Sequence, residues 1–253
     1  VADVRPFMTS AFVDTRTFDI MAPTEQLVHQ LNLFRPHYLH GYPTMVEALA
    51  HERTLGRLAI DPEFISLGSE PVSRRALAAI ARAFPRAQIA ETYGATECVA
   101  IANQCSAGRM HVNEDLAILE PVDAMGRPVP VGVASDKVYL TNLVNRAQPL
   151  LRYELSDSVT VLDDECPCGS PMRSVRIEGR ADDTIFLVDE SGQFSAHPPV
   201  PFEVVFLGVP GLRQYLLVHE RQNNLVVRVV PEPDRDGAEV ARAASRAVRE
   251  YLQ

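Results

Sequence analysis

Glu91-Thr92-Tyr93-Gly94-Ala95-Thr96-Glu97 is the stretch on which the reading of this 253-residue chain turns. Ahead of it, residues 73–84 put Leu77, Ile80 and Phe84 on one helical face behind Ser73 as a cap, and residues 87–90 read as a short strand. Tyr93 offers a flat face on which a purine can stack. Gly94 lets the backbone approach a ligand or take positive φ without a Cβ penalty. Thr96 supplies a hydroxyl, and Glu97 a hard carboxylate oxygen of the kind Mg²⁺ accepts beside phosphates. Taken alone, the same residues would equally suit a strand-to-loop turn with a half-buried tyrosine.

Upstream, Phe64–Gly68 reads as a buried strand and Ser69-Glu70-Pro71-Val72 as a polar turn. Strand, loop, helix, strand and a second loop is an α/β pattern, which places ligand loops at the carboxyl ends of the strands. Before that, Thr24 reads as the N-cap of a helix through Leu27, Leu31 and Phe34, ended by Arg35-Pro36. Residues 37–43 form a short strand and turn, and Thr44 with Glu47 reads as a capping box for a helix ending near Leu55. Residues 1–23 carry no clear period.

Downstream the character changes. Residues 122–133 are rich in Pro and Gly, with a hairpin turn expected at Met125-Gly126-Arg127-Pro128, and 138–141 read as a strand. Residues 184–188 read as a strand, and 214–219 with 225–230 as a hairpin. Val240, Ala244, Val248 and Leu252 then recur at fourfold spacing on a C-terminal amphipathic helix.

The net charge of −9 argues against a general nucleic-acid or membrane-surface binder, and no apolar run approaches the roughly 20 residues that span a bilayer. No secretory signal opens the chain, and Val1 is not an initiator Met. A cytoplasmic protein is expected. Lys137 is the only lysine; the other 23 basic residues are Arg.

The four cysteines suggest a metal more than disulfides. Cys166-Pro-Cys168-Gly169 holds two thiols within reach of one ion, and Cys105 and His111 lie six apart in a small polar loop. Three thiolates and one imidazole form a recognised tetrahedral set for structural Zn²⁺, with Cys98 left over as a buried thiol. Buried, unligated thiols and a surface histidine are the alternative.

Tyr93-Gly94-Ala95-Thr96-Glu97 resembles a signature of the adenylate-forming superfamily of acyl- and aryl-CoA ligases and peptide-synthetase adenylation domains. Further stretches fall in that family's order over roughly residues 37–253. Gly41-Tyr42-Pro43-Thr44 resembles its acyl-pocket entrance, and Gly68-Ser69-Glu70-Pro71 its adenine-side loop. Arg152-Tyr153 with Asp157 resembles its ribose-binding segment, and Ile177-Glu178-Gly179-Arg180-Ala181-Asp182-Asp183 its interdomain hinge. The Cys/His order is similar to that of zinc-bearing members of the phenylacetate–CoA ligase-like branch.

The resemblance implies a chain whose residues 1–179 form the C-terminal half of a large AMP-binding domain. Residues 180–183 would be a hinge and 184–253 a small α+β domain. It implies an ATP-dependent activation of a carboxylic acid, an aryl acid first, as acyl-AMP, then transfer to coenzyme A. Tyr93 would stack on adenine beside Glu91, Thr92 and Gly94, while Thr96 would hold a phosphate oxygen and Glu97 coordinate Mg²⁺. Asp157 would bind ribose, Arg180 ribose or phosphate, and Asp182 would be the pivot. Tyr42 and Gly94 would face the acid. An amine or carrier-protein acceptor, a homodimer, and a non-catalytic or truncated nucleotide-binding module remain open.

Two expected parts are missing. The thirteen glycines are scattered, so no Ser/Thr/Gly-rich phosphate loop is present, and no lysine follows Asp183.

Overall fold

The computed structural model describes residues 13–180, 183–188, 192–197, 199–221 and 224–252. Two compact units divide between Glu91 and Thr92.

In the first unit, helix α1 (Thr24–Phe34) buries Leu27, Val28 and Leu31 and ends where Arg35 takes φ 50°, just before Pro36. Thr24 is not its cap. Pro23 holds that position, its fixed φ of −53° leading into the first turn, and Thr24 is already helical. Strand β1 (Tyr38–Gly41) pairs in parallel with β2 (Phe64–Gly68), Leu39 opposite Ile65 and Gly41 opposite Leu67.

Between them, α2 (Pro43–Thr54) starts with Pro43 in its first turn and Tyr42 at the N-cap. The expected Thr44/Glu47 capping box therefore does not form. Thr44 sits inside the helix, where its N–H (3.3 Å) and Oγ1 (2.8 Å) both donate to the Glu70 carboxylate. A carboxylate from a distant loop thus meets one of the free N–H groups at the helix start. Helix α3 (Arg74–Ala83) is capped as its sequence implies, Ser73 Oγ accepting from the Ala76 N–H at 3.1 Å. Ile65, Leu67, Ile80 and Phe84 are essentially inaccessible and join Leu39, Val46 and Leu49 in one core. Each such side chain contributes about 1.5–3 kcal/mol by leaving water.

Strand β3 (Gln88–Ala95) carries the chain from the first unit into the second. It runs five residues beyond the strand end expected at residue 90, so Tyr93 and Gly94 are strand residues and the turn is Thr96-Glu97. The cause is antiparallel pairing with β4 (Cys98–Gln104), Thr92 opposite Asn103 and Ala95 opposite Cys98, with a bulge between Tyr93 and Ala95.

Within the second unit the sheet continues from β4 to β5 (Met110–Val112), β10 (Ser174–Arg180) and β9 (Asp157–Val161), all antiparallel. A separate meander joins β6 (Ala117–Val122), β7 (Lys137–Asn142) and β8 (Tyr153–Leu155). Asp123 Oδ1 ties its tight turn by accepting from the N–H groups of Met125 and Arg127. Ile101, Val112, Leu119, Leu140 and Val159 form the core of this part.

After Asp183, β11 (Ile185–Val188) pairs with β12 (Phe194–His197), and β13 (Leu212–Arg221) with β14 (Asn224–Pro231). Helices α4 (Pro199–Leu207) and α5 (Gly237–Tyr251) add Phe202, Phe206, Val240, Ala244 and Val248 to a third core with Leu212. Asp236 caps α5 by accepting from the Ala238 N–H at 2.9 Å. No described helix is long and apolar enough to cross a membrane.

Candidate functional site: a tyrosine–carboxylate corner and a Cys/His cluster

In the first unit the expected ligand loops follow the carboxyl ends of the two parallel strands. Tyr42 is the residue after β1, and Ser69-Glu70-Pro71 follow Gly68 at the end of β2. Ser69 takes φ 68°, a left-handed conformation costing a serine about 1–3 kcal/mol. The Glu70–Thr44 bonds lace these two loops together. Glu70 is thereby a structural anchor for the turn that carries Tyr42. Glu91 closes this unit, and Thr92 opens the next.

In the second unit β3 and β9 bring together Tyr93 and Asp157, 64 residues apart. The Tyr93 hydroxyl donates to Asp157 Oδ2 at 2.6 Å. Burial, the Asp157 charge and this bond all push the Tyr93 phenol far above its usual range, only partly opposed by the Arg180 cation. The phenol is therefore a proton donor throughout the physiological range. Arg180 ends β10 opposite Asp157, and its Nη2 donates to Ser156 Oγ at 2.8 Å. Ala181 and the expected pivot Asp182 lie outside the described residues.

Gly94 has a reason of its own. A Cβ there would sit 2.1 Å from the Val99 carbonyl oxygen, so the close backbone approach is made by β4 itself. Thr96 is exposed at the tip of the β3–β4 hairpin, and Glu97 is half-buried beside it. A residue that the sequence did not single out holds the backbone of Glu97. Asn142 Nδ2 donates to the Glu97 carbonyl at 2.7 Å, while its Oδ1 accepts from the N–H groups of Val144 and Asn145. The nearby Glu97 carboxylate holds the Tyr153 phenol above its usual range. Tyr153 carried a signal in the sequence, as part of the Arg-Tyr segment; Asn142 did not. Lys137 is engaged elsewhere: it opens β7 and donates to Glu154 at 2.7 Å, which raises its pKa.

The second assembly is the Cys/His group. The ligand atoms of Cys105, His111, Cys166 and Cys168 all lie within 4.8 Å of one another. Cys105 and Cys166 sulfurs are 3.7 Å apart, and Cys168 sulfur is 3.4 Å from His111 Nε2. With Zn–S of about 2.3 Å and Zn–N of about 2.05 Å, a tetrahedral site has S···S edges of about 3.75 Å and S···N edges of about 3.55 Å. These two separations lie close to that figure, and 3.7 Å is far beyond the roughly 2.05 Å of a disulfide.

The surroundings fit as well. His111 Nδ1 faces the Met172 carbonyl at 2.8 Å; a carbonyl only accepts, so Nδ1 carries the proton and the Nε2 lone pair faces the thiols. The Ser170 N–H points at Cys168 sulfur at 3.4 Å. Burial alone would push the Cys105 thiol up, but the backbone N–H groups of Arg109 and Ala107 and the adjacent thiols draw it well below the usual range. Gly169, at φ 74°, turns the chain just after the Cys-Pro-Cys run. Cys98 is buried apart from the group, as expected.

Comparison with known proteins bears on the family and the fold. Phenylacetate-coenzyme A ligase of Thermus thermophilus is 28% identical over 212 residues, covering 80% of this chain and 46% of that protein. Among solved structures, a 2-hydroxyisobutyryl-CoA ligase in its postadenylation state with 2-HIB-AMP superposes with a TM-score of 0.74. It is 20% identical, over 90% of this chain and 51% of that one. An anthranilate CoA ligase in complex with anthranoyl-AMP gives 0.62 at 16% identity, over 90% and 46%. At such identities these two report the fold. The chain thus spans about half the length of the proteins it matches. Residues 8–137, just over half of the chain, match the family model of the AMP-binding enzymes, and the chain belongs to that family.

Proposed function

We propose that this chain supplies nucleotide-binding elements of an enzyme that activates a carboxylic acid with ATP as an acyl-adenylate and passes the acyl group to coenzyme A. The observation that carries the reading is the Tyr93–Asp157 bond. It joins the two segments from which adenine stacking and ribose binding are expected, across 64 residues of sequence. In the first half-reaction an acid oxygen attacks the α-phosphorus of ATP and pyrophosphate leaves. In the second, a thiolate attacks the acyl carbonyl and AMP leaves.

Tyr93 presents its ring to adenine and Asp157 accepts from the ribose hydroxyls, with Arg180 close by as a cation for ribose or phosphate oxygens. Thr96 donates to a phosphate oxygen. Glu97, its backbone held by Asn142 and its carboxylate near Tyr153, would face the Mg²⁺ that neutralises phosphate charge. Tyr42 and the Gly68-Ser69-Glu70-Pro71 loop belong to the acid and adenine pockets, and Asp182 to the hinge between residues 1–179 and 184–253. The Cys/His cluster holds a structural Zn²⁺: with four protein ligands it has no open position for chemistry. An aryl acid, coenzyme A as acceptor and a cytoplasmic location complete the reading.

Acid-dependent ATP–pyrophosphate exchange tests it, using the protein that carries this chain and a panel of aryl and aliphatic acids. Exchange with a subset of acids, followed by thioester formation with coenzyme A, is the expected result. Exchange without thioester would move the acceptor to an amine or a carrier protein. No exchange with any acid, together with no AMP binding, would sink the assignment.

A further inference from the structure

We infer that the Tyr93 hydroxyl is a positioning group for ribose recognition: it fixes the orientation in which the Asp157 carboxylate meets the sugar hydroxyls. This rests on the nucleotide reading above and gives Tyr93 a role beyond its ring face.

The bond is 2.6 Å long, within the range of O–H···O⁻ bonds to an ionised acceptor, which are about twice as strong as neutral ones. Its direction is set, because a phenol desolvated beside a carboxylate keeps its proton and the carboxylate can only accept. It connects two strands that are not neighbours in the sheet, since β9 pairs with β10 and β3 with β4. Without it Asp157, at the start of β9, would be free to rotate about its side-chain bonds. With Oδ2 engaged by Tyr93, the carboxylate keeps Oδ1 and one further lone pair, enough acceptors for a vicinal diol. The bond therefore orients the group without consuming the capacity that a ribose needs.

The test compares AMP with 2′,3′-dideoxy-AMP by calorimetry on the wild type, Tyr93→Phe, Asp157→Asn and the double variant. Tyr93→Phe keeps the stacking ring and removes only the hydroxyl. The expected result is that it weakens AMP about five- to tenfold and leaves dideoxy-AMP unchanged. In the Asp157→Asn background the same change should cost AMP nothing further. Equal weakening of both nucleotides would assign the hydroxyl to packing around the ring, and unchanged AMP affinity would give it no role; either overturns the inference. A wild type that binds AMP and dideoxy-AMP equally overturns it too, by removing ribose from Asp157. A wild type that binds neither removes the nucleotide reading itself.

Discussion

The Cys/His cluster and the tyrosine–carboxylate corner are built alike, and on the proposed function they do opposite things. Each brings together residues about sixty positions apart within the second unit, Cys105 with Cys166 and Tyr93 with Asp157. In the cluster the four ligand atoms face one another around a point, and His111 is fixed from behind by Met172. As a zinc site it would be closed, with all four ligands given to one ion. In the corner, Asp157 spends one oxygen on Tyr93 and keeps the rest, and Glu97 is steadied by neighbours that leave Thr96 exposed beside it. A closed set ties segments together; an open one waits for a ligand. Perturbing the first should therefore be read out in stability, and perturbing the second in binding and rate.

The largest expected effect on stability lies in the cluster. One equivalent of zinc should copurify with the protein. Cys166→Ser, or exhaustive chelation, should lower the melting temperature by about 10 °C, reflecting a loss of several kcal/mol when the ion that ties residues 105–111 to 166–168 is removed. Metal analysis and thermal melts check this directly. A metal-free protein whose Cys166→Ser variant melts with the wild type would make the four groups merely adjacent thiols, and the contrast with the corner would collapse.

Gly94 sits where the two behaviours meet, since it lies in the corner's own strand yet is required by β4. Gly94→Ala places a methyl against the Val99 carbonyl oxygen, which forces the β3–β4 hairpin apart. A loss of about 1–3 kcal/mol is expected in chemical denaturation, smaller than that from removing the metal. AMP affinity should fall with it, because the same hairpin carries Tyr93. A full-stability Gly94→Ala protein that loses AMP would instead mean that the glycine serves the ligand.

Much of this arrangement was legible beforehand, and the exceptions share a cause. Phe64–Gly68, the Ser73 cap and the Val240, Ala244, Val248 face were readable because periodicity and capping are local. The four metal-type ligands were readable because few other chemistries use that set. The length of β3 was not, since its last residues are strand only by pairing with β4. Nor were the Glu70 bonds to Thr44, where the sequence offered Thr44 a local partner and the fold supplied one 26 residues away. Asn142 was invisible for the same reason: its hold on Glu97 spans 45 residues. What the sequence hides is contact made by tertiary pairing, and Asn142's hold on Glu97 is of that kind.

Glu97→Gln should therefore have the smallest effect on stability and separate the two regions most cleanly. Glutamine keeps the size and shape of the side chain beside Tyr153, and its backbone carbonyl still receives Asn142. Unfolding free energy should stay within about 0.5 kcal/mol of the wild type. Acid-dependent ATP–pyrophosphate exchange should drop at least about 100-fold, because a neutral amide is a poor ligand for Mg²⁺ and contributes no charge opposite the ion. Parallel denaturation and exchange assays decide between the roles. If the variant unfolds early and the surviving fraction exchanges at the normal rate, Glu97 belongs with the cluster as a structural tie, and the chemistry lies with other groups of the hairpin.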